Sequence, residues 1–101
     1  MTADVELLSQ VRNKIALDPP GKWKVVFLND DSTPMEYVIQ ILMDFFGHTV
    51  DAAKEIMLTI HNSGRGVAGV FPYEIAEQKA SDTIADSRNH GYSLAVEIEK
   101  E

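Results

Sequence analysis

Residues 23–46, WKVVFLNDDSTPMEYVIQILMDFF, change from a strand pattern to a helix pattern across one short turn. The first six of them are β-branched, aromatic or aliphatic apart from Lys24, so they predict a strand. Because this strand is apolar on both faces, we expect it to be central in its sheet or covered on both sides. The polar residues 29–33 then form the turn that ends it.

A helix is predicted directly after this turn. Thr33 is a good N-cap, Pro34 falls at the first helical position, and Glu36 completes a Thr-x-x-Glu capping box. Glycine is common just beyond a helix, so Gly47 is the expected stop. Apolar residues recur on one helical face between these ends, at Val38, Ile41, Leu42 and Phe45, widened by Ile39 and Phe46.

The residues that follow predict two further helices and two further strands. In chain order these are a helix capped by Thr49 and ended by Gly64 and Gly66, a strand over 67–71, a helix from Pro72 to about Asn89 closed by Gly91, and a strand over 94–99. The apolar positions of the last helix are Ile75, Ala76, Ala80 and Ile84. The order β-α-α-β-α-β predicts an α+β two-layer sandwich, in which a three-stranded antiparallel sheet packs against three helices.

The composition limits the classes of protein to consider. A length of 101 residues allows one domain, and Pro19-Pro20-Gly21 separates a flexible N-terminal extension, residues 1–21, from a core domain over 22–101. The net charge of −7 argues against binding to nucleic acid or to an anionic membrane surface. The absence of cysteine excludes a disulfide scaffold, a Cys-ligated zinc site and a thiol nucleophile. Without an apolar run of membrane-spanning length or a secretory signal, we expect a soluble cytoplasmic protein.

Two polar positions are candidate binding groups, and each also has a plainer interpretation. Asn29-Asp30-Asp31 precedes a helix and groups acceptors that suit a cation, although Asn and Asp are also ordinary turn residues. His61 shares a helix face with Met57, where a histidine is more often part of the packing than a ligand. Calcium-loop, zinc-helix, P-loop and nucleophile-elbow patterns are absent, so we expect no metal, no cofactor and no enzymatic activity.

A set of apolar residues near these polar groups is open to two interpretations. At helical spacing such residues are most often core, but methionine is also common in adaptable binding pockets. Beside Asn29, Asp30 and His61 they would form an apolar pocket with a polar rim, the usual layout of a small-ligand site. The residues in question are Met35, Val38, Met57 and Ile60.

Four blocks of sequence resemble the ClpS adaptor proteins over residues 22–101. The blocks are NDDSTPMEYV at 29–38, IML-x-IH-x-x-G-x-G-VAGVF at 56–71, EIAEQK at 74–79 and SLAVEIEKE at 93–101. The resemblance implies an adaptor and not an enzyme. Members of the family capture proteins with a destabilising N-terminal residue (an N-degron, usually Leu, Phe, Tyr or Trp) and deliver them to the Clp AAA+ unfoldase and its peptidase.

The resemblance also implies residue roles and a monomeric adaptor without a cofactor. It assigns binding of the substrate's free α-amino group to Asn29, Asp30 and His61, with Asp31 and Thr33 as supporting rim positions. It assigns the pocket for the substrate's first side chain to Met35, Val38, Met57, Ile60 and Leu94. It assigns contact with the unfoldase's N-terminal domain to Glu74 and Lys79. Two positions depart from the usual family pattern. Tyr92-Ser93 precedes Leu94 where members often have His-Pro, and Ile60 stands where Val is common.

The chemistry of a chain terminus agrees with this assignment. An α-ammonium has three donors and no acceptor, so a receptor needs about three acceptors, such as the Asn29 amide oxygen, the Asp30 carboxylate and a neutral His61 nitrogen. The alternative is a protein-interaction module that binds partners through its surface, since the predicted fold also resembles the C-terminal domain of the ribosomal stalk protein. Such a module would not recognise an N-terminal residue.

Overall fold

The computed structural model describes residues 21–101, which form three strands and three helices. The elements are β1 (Lys22–Leu28), α1 (Met35–Asp44), α2 (Val50–Ser63), β2 (Arg65–Pro72), α3 (Tyr73–Asn89) and β3 (Ala95–Lys100). The predicted element order and the predicted α+β class are both confirmed. The predicted flexible extension, apart from Gly21, lies outside the described residues.

The three strands form one antiparallel sheet in the order β2-β1-β3. The strand at residues 23–28 is therefore central, as its apolar pattern predicts, and its Val25, Val26 and Phe27 are fully buried. An irregularity in the register with β2 lies between the two valines. Hydrogen bonds on both edges of β1 hold its last residue, Leu28, in a defined place, and the polar turn at 29–33 begins from there.

The core lies between the sheet and the three helices. Each helix adds a few buried side chains to it, and the central strand adds the largest, Phe27. Burying such aliphatic and aromatic side chains contributes about 1.5–3 kcal/mol each. The buried hydrophobic residues of the helices are Val38, Ile41 and Leu42 on α1, Ala53, Met57 and Ile60 on α2, and Ala76 and Ala80 on α3.

The start of α1 differs from the predicted capping box. The N-cap is Pro34, the first helical residue is Met35, and no side chain caps the helix. The predictions that Thr33 is the N-cap, that Pro34 is the first helical residue and that Glu36 completes a capping box are therefore wrong. The physical reason is that the Thr33 hydroxyl donates to the Asp30 carboxylate at 2.7 Å instead of capping the helix. The Thr33 side chain thus stabilises the turn at 29–33 and not the first turn of α1.

The buried face of α3 also differs from the predicted one. Ile75 is 48% exposed, so its placement on the buried face is wrong. Only small residues are buried along this helix, at Ala76, Ala80, Thr83 and Ser87. Their i, i+4, i+7, i+11 spacing makes a single stripe, and small side chains let the helix axis approach the sheet closely. The Thr83 hydroxyl is satisfied by donating to the Lys79 carbonyl at 2.8 Å.

Two of the three glycines predicted to end the first two helices adopt left-handed conformations. Gly47 (φ 71°) follows α1 and donates its N–H to the Met43 carbonyl at 3.1 Å. Gly64 (φ 85°) caps α2, where it donates to the Ile60 carbonyl at 2.9 Å. These two predictions are confirmed, because only glycine adopts this conformation without strain. The prediction that Gly66 also ends α2 is wrong, since the helix already ends at Gly64 and Gly66 belongs to β2. None of the helices within residues 21–101 is long and apolar enough to cross a membrane.

Candidate functional site

A cavity of about 180 Å³ opens beside the turn that follows β1. Its walls come from that turn, the first part of α1, the last part of α2 and the segment that precedes β3. All ten residues that the sequence assigned to the amine site, the side-chain pocket and the rim line this one cavity, together with Leu28. They are Asn29, Asp30, Asp31, Thr33, Met35, Val38, Met57, Ile60, His61 and Leu94.

The floor of the cavity is apolar and almost closed to solvent. Val38, Met57, Ile60 and Leu94 are each exposed by 4% or less, and they come from α1, α2 and the segment before β3. Met35 differs from them because it is 40% exposed, which places it at the mouth. An unbranched methionine there can change rotamer to cover or uncover the floor.

Ile60 is held in place by the strand behind it. A Cβ atom added to Gly66 on β2 would lie only 2.7 Å from Cγ1 of Ile60. Gly66 is therefore required for a close approach between β2 and α2 and not for an unusual backbone conformation. This contact fixes how far the side chain of Ile60 extends into the cavity.

The mouth of the cavity is polar, and one backbone hydrogen bond joins its two sides. The Asn29 N–H donates to the Gly64 carbonyl at 2.9 Å, which ties the turn after β1 to the end of α2. His61 lies in the last turn of α2, one helical turn before that glycine. The side chains of Asn29 and His61 are both exposed, so their polar atoms remain accessible to a ligand at the mouth.

The Asp30 carboxylate is the most heavily hydrogen-bonded group of the site. Its Oδ2 atom accepts from the Thr33 hydroxyl and from the Ser93 hydroxyl, both at 2.7 Å. Its Oδ1 atom accepts from the Ser32 N–H at 3.1 Å. These bonds, that from Ser93 first, hold the pKa of Asp30 well below its usual range. The mouth therefore presents a carboxylate that stays ionised and has a fixed orientation.

Three residues that sequence reasoning missed hold Leu94 in the wall of the cavity. The buried Ser87 hydroxyl accepts from the Leu94 N–H at 3.2 Å. Arg88 donates from Nη1 to the carbonyls of Tyr92 at 3.1 Å and Leu94 at 3.2 Å. Ser93 fastens the same segment to Asp30. The only sequence signals were the helical spacing of Ser87 with Ala76 and Ala80, and the departure of Ser93 from the family's proline.

Glu74 and Lys79 lie on α3 and do not line this cavity. Glu74 is exposed in the first turn of the helix. Lys79 is half-buried, because its Nζ atom donates to the Phe45 carbonyl at 2.6 Å and lies 5.8 Å from the centre of the Phe71 ring. It also lines a wider, more open groove of about 490 Å³ with several acidic residues of α1 and α3. The lysine therefore supports the end of α1 from within the fold.

The chemistry of the cavity is that of binding. A group with an apolar end and a cationic, donating end would match its apolar floor and its acceptor-rich mouth. Within residues 21–101, no group of three or more His, Asp or Glu side chains is placed to hold a metal ion.

Comparison with known proteins identifies close relatives. The family model described as "ATP-dependent Clp protease adaptor protein ClpS" matches residues 18–97. The chain is 39% identical over 97 residues to the ATP-dependent Clp protease adapter protein ClpS of Escherichia fergusonii, a match that covers 96% of this chain and 92% of the relative. The ClpS of Cronobacter sakazakii is also 39% identical over 97 residues, with the same coverage. The solved structure of Agrobacterium tumefaciens ClpS2 bound to L-phenylalaninamide superposes with a TM-score of 0.78 at 35% identity, covering 81% of this chain and 99% of that one.

Proposed function

Because the chain belongs to the ClpS family, whose members are adaptors of the Clp protease and not enzymes, we propose that its cavity binds the N-terminal residue of N-degron substrates. The proposed ligand has a free α-amino group and a large hydrophobic first side chain, as in Leu, Phe, Tyr or Trp. The observation that carries the proposal is the combination of an apolar floor and an acceptor-rich mouth in one cavity.

The mouth suits an α-ammonium group. The Asn29 amide oxygen, the Asp30 carboxylate and an unprotonated ring nitrogen of His61 all line the same cavity and can each accept one of its three N–H donors. An internal or acetylated residue offers neither the charge nor the donors. Acceptors left without a partner in a desolvated site cost about 1–3 kcal/mol each, which discriminates against such residues.

The floor suits one large side chain. A volume of about 180 Å³ is below the ~300–1,000 Å³ of a typical small-molecule pocket, so a single residue fits it better than a whole metabolite. The similar ClpS2 structure is described as bound to L-phenylalaninamide, a ligand with one free α-amino group and one phenyl ring. Burying a Leu or Phe side chain here would contribute roughly 1.5–3 kcal/mol, which supports an affinity low enough for later release.

Delivery to the unfoldase needs a second surface. We assign contact with the unfoldase's N-terminal domain to Glu74 and Lys79 on α3, and neither of them lines the cavity, so this contact leaves the substrate site accessible. Residues 1–21 would form the tether that this delivery requires.

Fluorescence anisotropy with short labelled peptides tests the substrate site. Peptides that begin with Leu, Phe, Tyr or Trp are expected to bind, and acetyl-Leu and Ile peptides are expected to bind much more weakly. If free and acetylated peptides bound alike, the proposed recognition of the amine would be wrong. Binding to the unfoldase without binding to any N-terminal peptide would favour a surface-binding interaction module instead.

A further inference from the structure

Resting on the proposed amine-binding function, we infer that Ser93 is a positioning residue that orients the Asp30 carboxylate and keeps its Oδ1 atom open for the substrate's ammonium group. Ser93 performs this role together with Ser32, its hydroxyl neighbour across the mouth of the cavity. The ClpS resemblance does not supply this role, because members often have proline at this position and proline has no hydroxyl.

The hydroxyls of Ser93 and Ser32 lie close to each other and to the Asp30 carboxylate. The Ser93 hydroxyl lies 2.7 Å from Oδ2 of Asp30 and 2.6 Å from the Ser32 hydroxyl. The Ser32 hydroxyl lies farther from the carboxylate, at 3.1 Å from Oδ1 and 3.2 Å from Oδ2. Ser93 belongs to the segment before β3 and is 63 residues from Asp30 in the chain. The contact therefore bridges two separate walls of the cavity.

The two serine hydroxyls have fewer protons than close contacts. Each serine hydroxyl has one proton, so two hydroxyls cannot fully satisfy all of these close contacts as donors. The shortest distances are satisfied together when Ser32 donates to Ser93 and Ser93 donates to Oδ2 of Asp30. In this relay each proton is used once, and the longer contacts of Ser32 with the carboxylate are not needed as hydrogen bonds.

This relay leaves one acceptor of the Asp30 carboxylate open, its Oδ1 atom. The Oδ2 atom then accepts from two hydroxyls, those of Thr33 and Ser93. The Oδ1 atom accepts only from the Ser32 N–H, at 3.1 Å, and keeps a lone pair for another donor. Without Ser93, the Ser32 hydroxyl would turn its proton to Oδ1 and compete with the ammonium group. Ser93 thus both fixes the carboxylate and removes a competing donor.

Ser93 also joins the polar mouth to the apolar floor. Its neighbour in the chain, Leu94, is 1% exposed and lines the floor of the same cavity. One hydrogen bond therefore sets the distance between the position of the ammonium and one wall of the side-chain pocket. Because Ser93 is exposed, losing its hydroxyl removes the hydrogen bonds without opening a hole in the core.

The experiment is a double-mutant cycle measured by anisotropy with a free Phe peptide. We expect Ser93→Ala to weaken binding about three- to tenfold, the loss of one hydrogen bond combined with the new competition from Ser32. Ser32→Ala should weaken peptide binding less than Ser93→Ala does. The double variant, Ser32→Ala with Ser93→Ala, should bind the peptide more tightly than Ser93→Ala alone, because the competing donor is gone. Ser93→Thr retains the hydroxyl and should restore binding to within about twofold of the wild type. Ser81→Ala, an exposed serine on α3 outside the cavity, is the matched control.

A second readout follows the carboxylate itself. The titration of the Asp30 carboxyl carbon by NMR should move to higher pH in Ser93→Ala, where a 3.1 Å contact from the Ser32 hydroxyl replaces the 2.7 Å one from Ser93. It should move further in the double variant, where neither hydroxyl remains to lower the pKa of Asp30. The other titratable residues that line the cavity are Asp31 and His61, and neither is replaced in this variant. If Ser93 did not hydrogen-bond to the Asp30 carboxylate, this titration would not move.

The outcomes separate this inference from the proposed function. If the wild type failed to distinguish free from acetylated peptides, the proposed function would fail. If the wild type made that distinction, but Ser93→Ala matched Ser81→Ala in peptide affinity and in the titration of Asp30, the role of Ser93 would be wrong and the proposed function would stand. If the double variant bound the peptide no more tightly than Ser93→Ala, two parts of the inference would be refuted. These are the donation from Ser32 to Ser93 and the competition of the Ser32 hydroxyl with the ammonium group for Oδ1.

Discussion

Replacing Gly66 with alanine should narrow the apolar cavity without touching any group at its mouth. The new Cβ atom would lie 2.7 Å from Cγ1 of Ile60, whereas ordinary contacts begin at 3.4 Å. The isoleucine must therefore move by at least about 0.7 Å, the difference between these two distances. Since Ile60 is 1% exposed and packed in the core, the space open to it is the cavity.

The magnitude follows from the size of the cavity. A volume of about 180 Å³ leaves little spare room around one large side chain, so a displaced isoleucine should exclude Trp and Phe more than Leu. We expect affinity for a Phe peptide to fall about tenfold, equivalent to ~1.4 kcal/mol. Overpacking should also lower the free energy of unfolding by about 1–3 kcal/mol. For a domain of this size, each kcal/mol lowers the melting temperature by about 4–8 °C.

Gly69→Ala is the matched control for this change. It adds the same methyl group to the same strand, and its Cβ would lie 2.6 Å from Cε2 of Phe71, so a similar loss of stability is expected. Phe71 does not line the cavity, so peptide binding should be retained. Anisotropy with Leu, Phe and Trp peptides and thermal melts would be measured on both variants. Equal peptide binding by both variants, at melting temperatures below that of the wild type, would refute the reasoning about Ile60.

Three further predictions concern single residues. Asp30→Ala should abolish binding of free N-terminal peptides in anisotropy, and it should also lower the melting temperature, because the hydroxyls of Thr33 and Ser93 lose their acceptor; a folded Asp30→Ala variant that bound these peptides like the wild type would show that Asp30 serves only as a turn residue. Ile60→Val should raise the affinity for a Trp peptide relative to a Leu peptide by enlarging the floor by one methylene, at a cost of about 0.5–1.5 kcal/mol in unfolding free energy; an unchanged ratio would contradict this. Burial and the hydrogen bond to Asp86 raise the pKa of Tyr37 well above its usual range, so stability should fall above about pH 10, where only the unfolded phenol ionises. Urea denaturation between pH 8 and 11 should show a weaker decline for Tyr37→Phe, and an identical decline would argue against this linkage.

The order of the elements could be predicted from the sequence because local patterns determine it. The apolar run at 23–28, the helical spacing on α1 and α2, and the glycines that follow these helices are properties of short stretches. Such patterns specify where an element begins, where it ends and which face it buries. The residues of the cavity were found because their motifs resemble ClpS proteins, and the structure brings all ten of them to one place.

Side-chain partners could not be predicted in the same way. Thr33 has the sequence pattern of a helix N-cap, but its hydroxyl donates a hydrogen bond to the carboxylate of Asp30, three residues earlier. Ile75 has an apolar side chain but lies beside the stripe of small residues that packs on the sheet, because a close helix-to-sheet contact admits alanine, serine and threonine there. In both cases the local sequence allowed two placements of the side chain, and its neighbours in the folded protein determined which one forms.

The sequence alone determined that this chain forms an α+β domain with acceptors after its first strand and a histidine on its second helix. Only the tertiary structure decided how the Asp30 carboxylate is oriented and what holds Leu94 in the floor. The physical reason is distance along the chain. Ser93 reaches Asp30 across 63 residues only because β3 pairs with β1 and returns its preceding segment to the turn that follows β1. Hydrogen bonds between residues that strand pairing brings together follow no periodic pattern in the sequence.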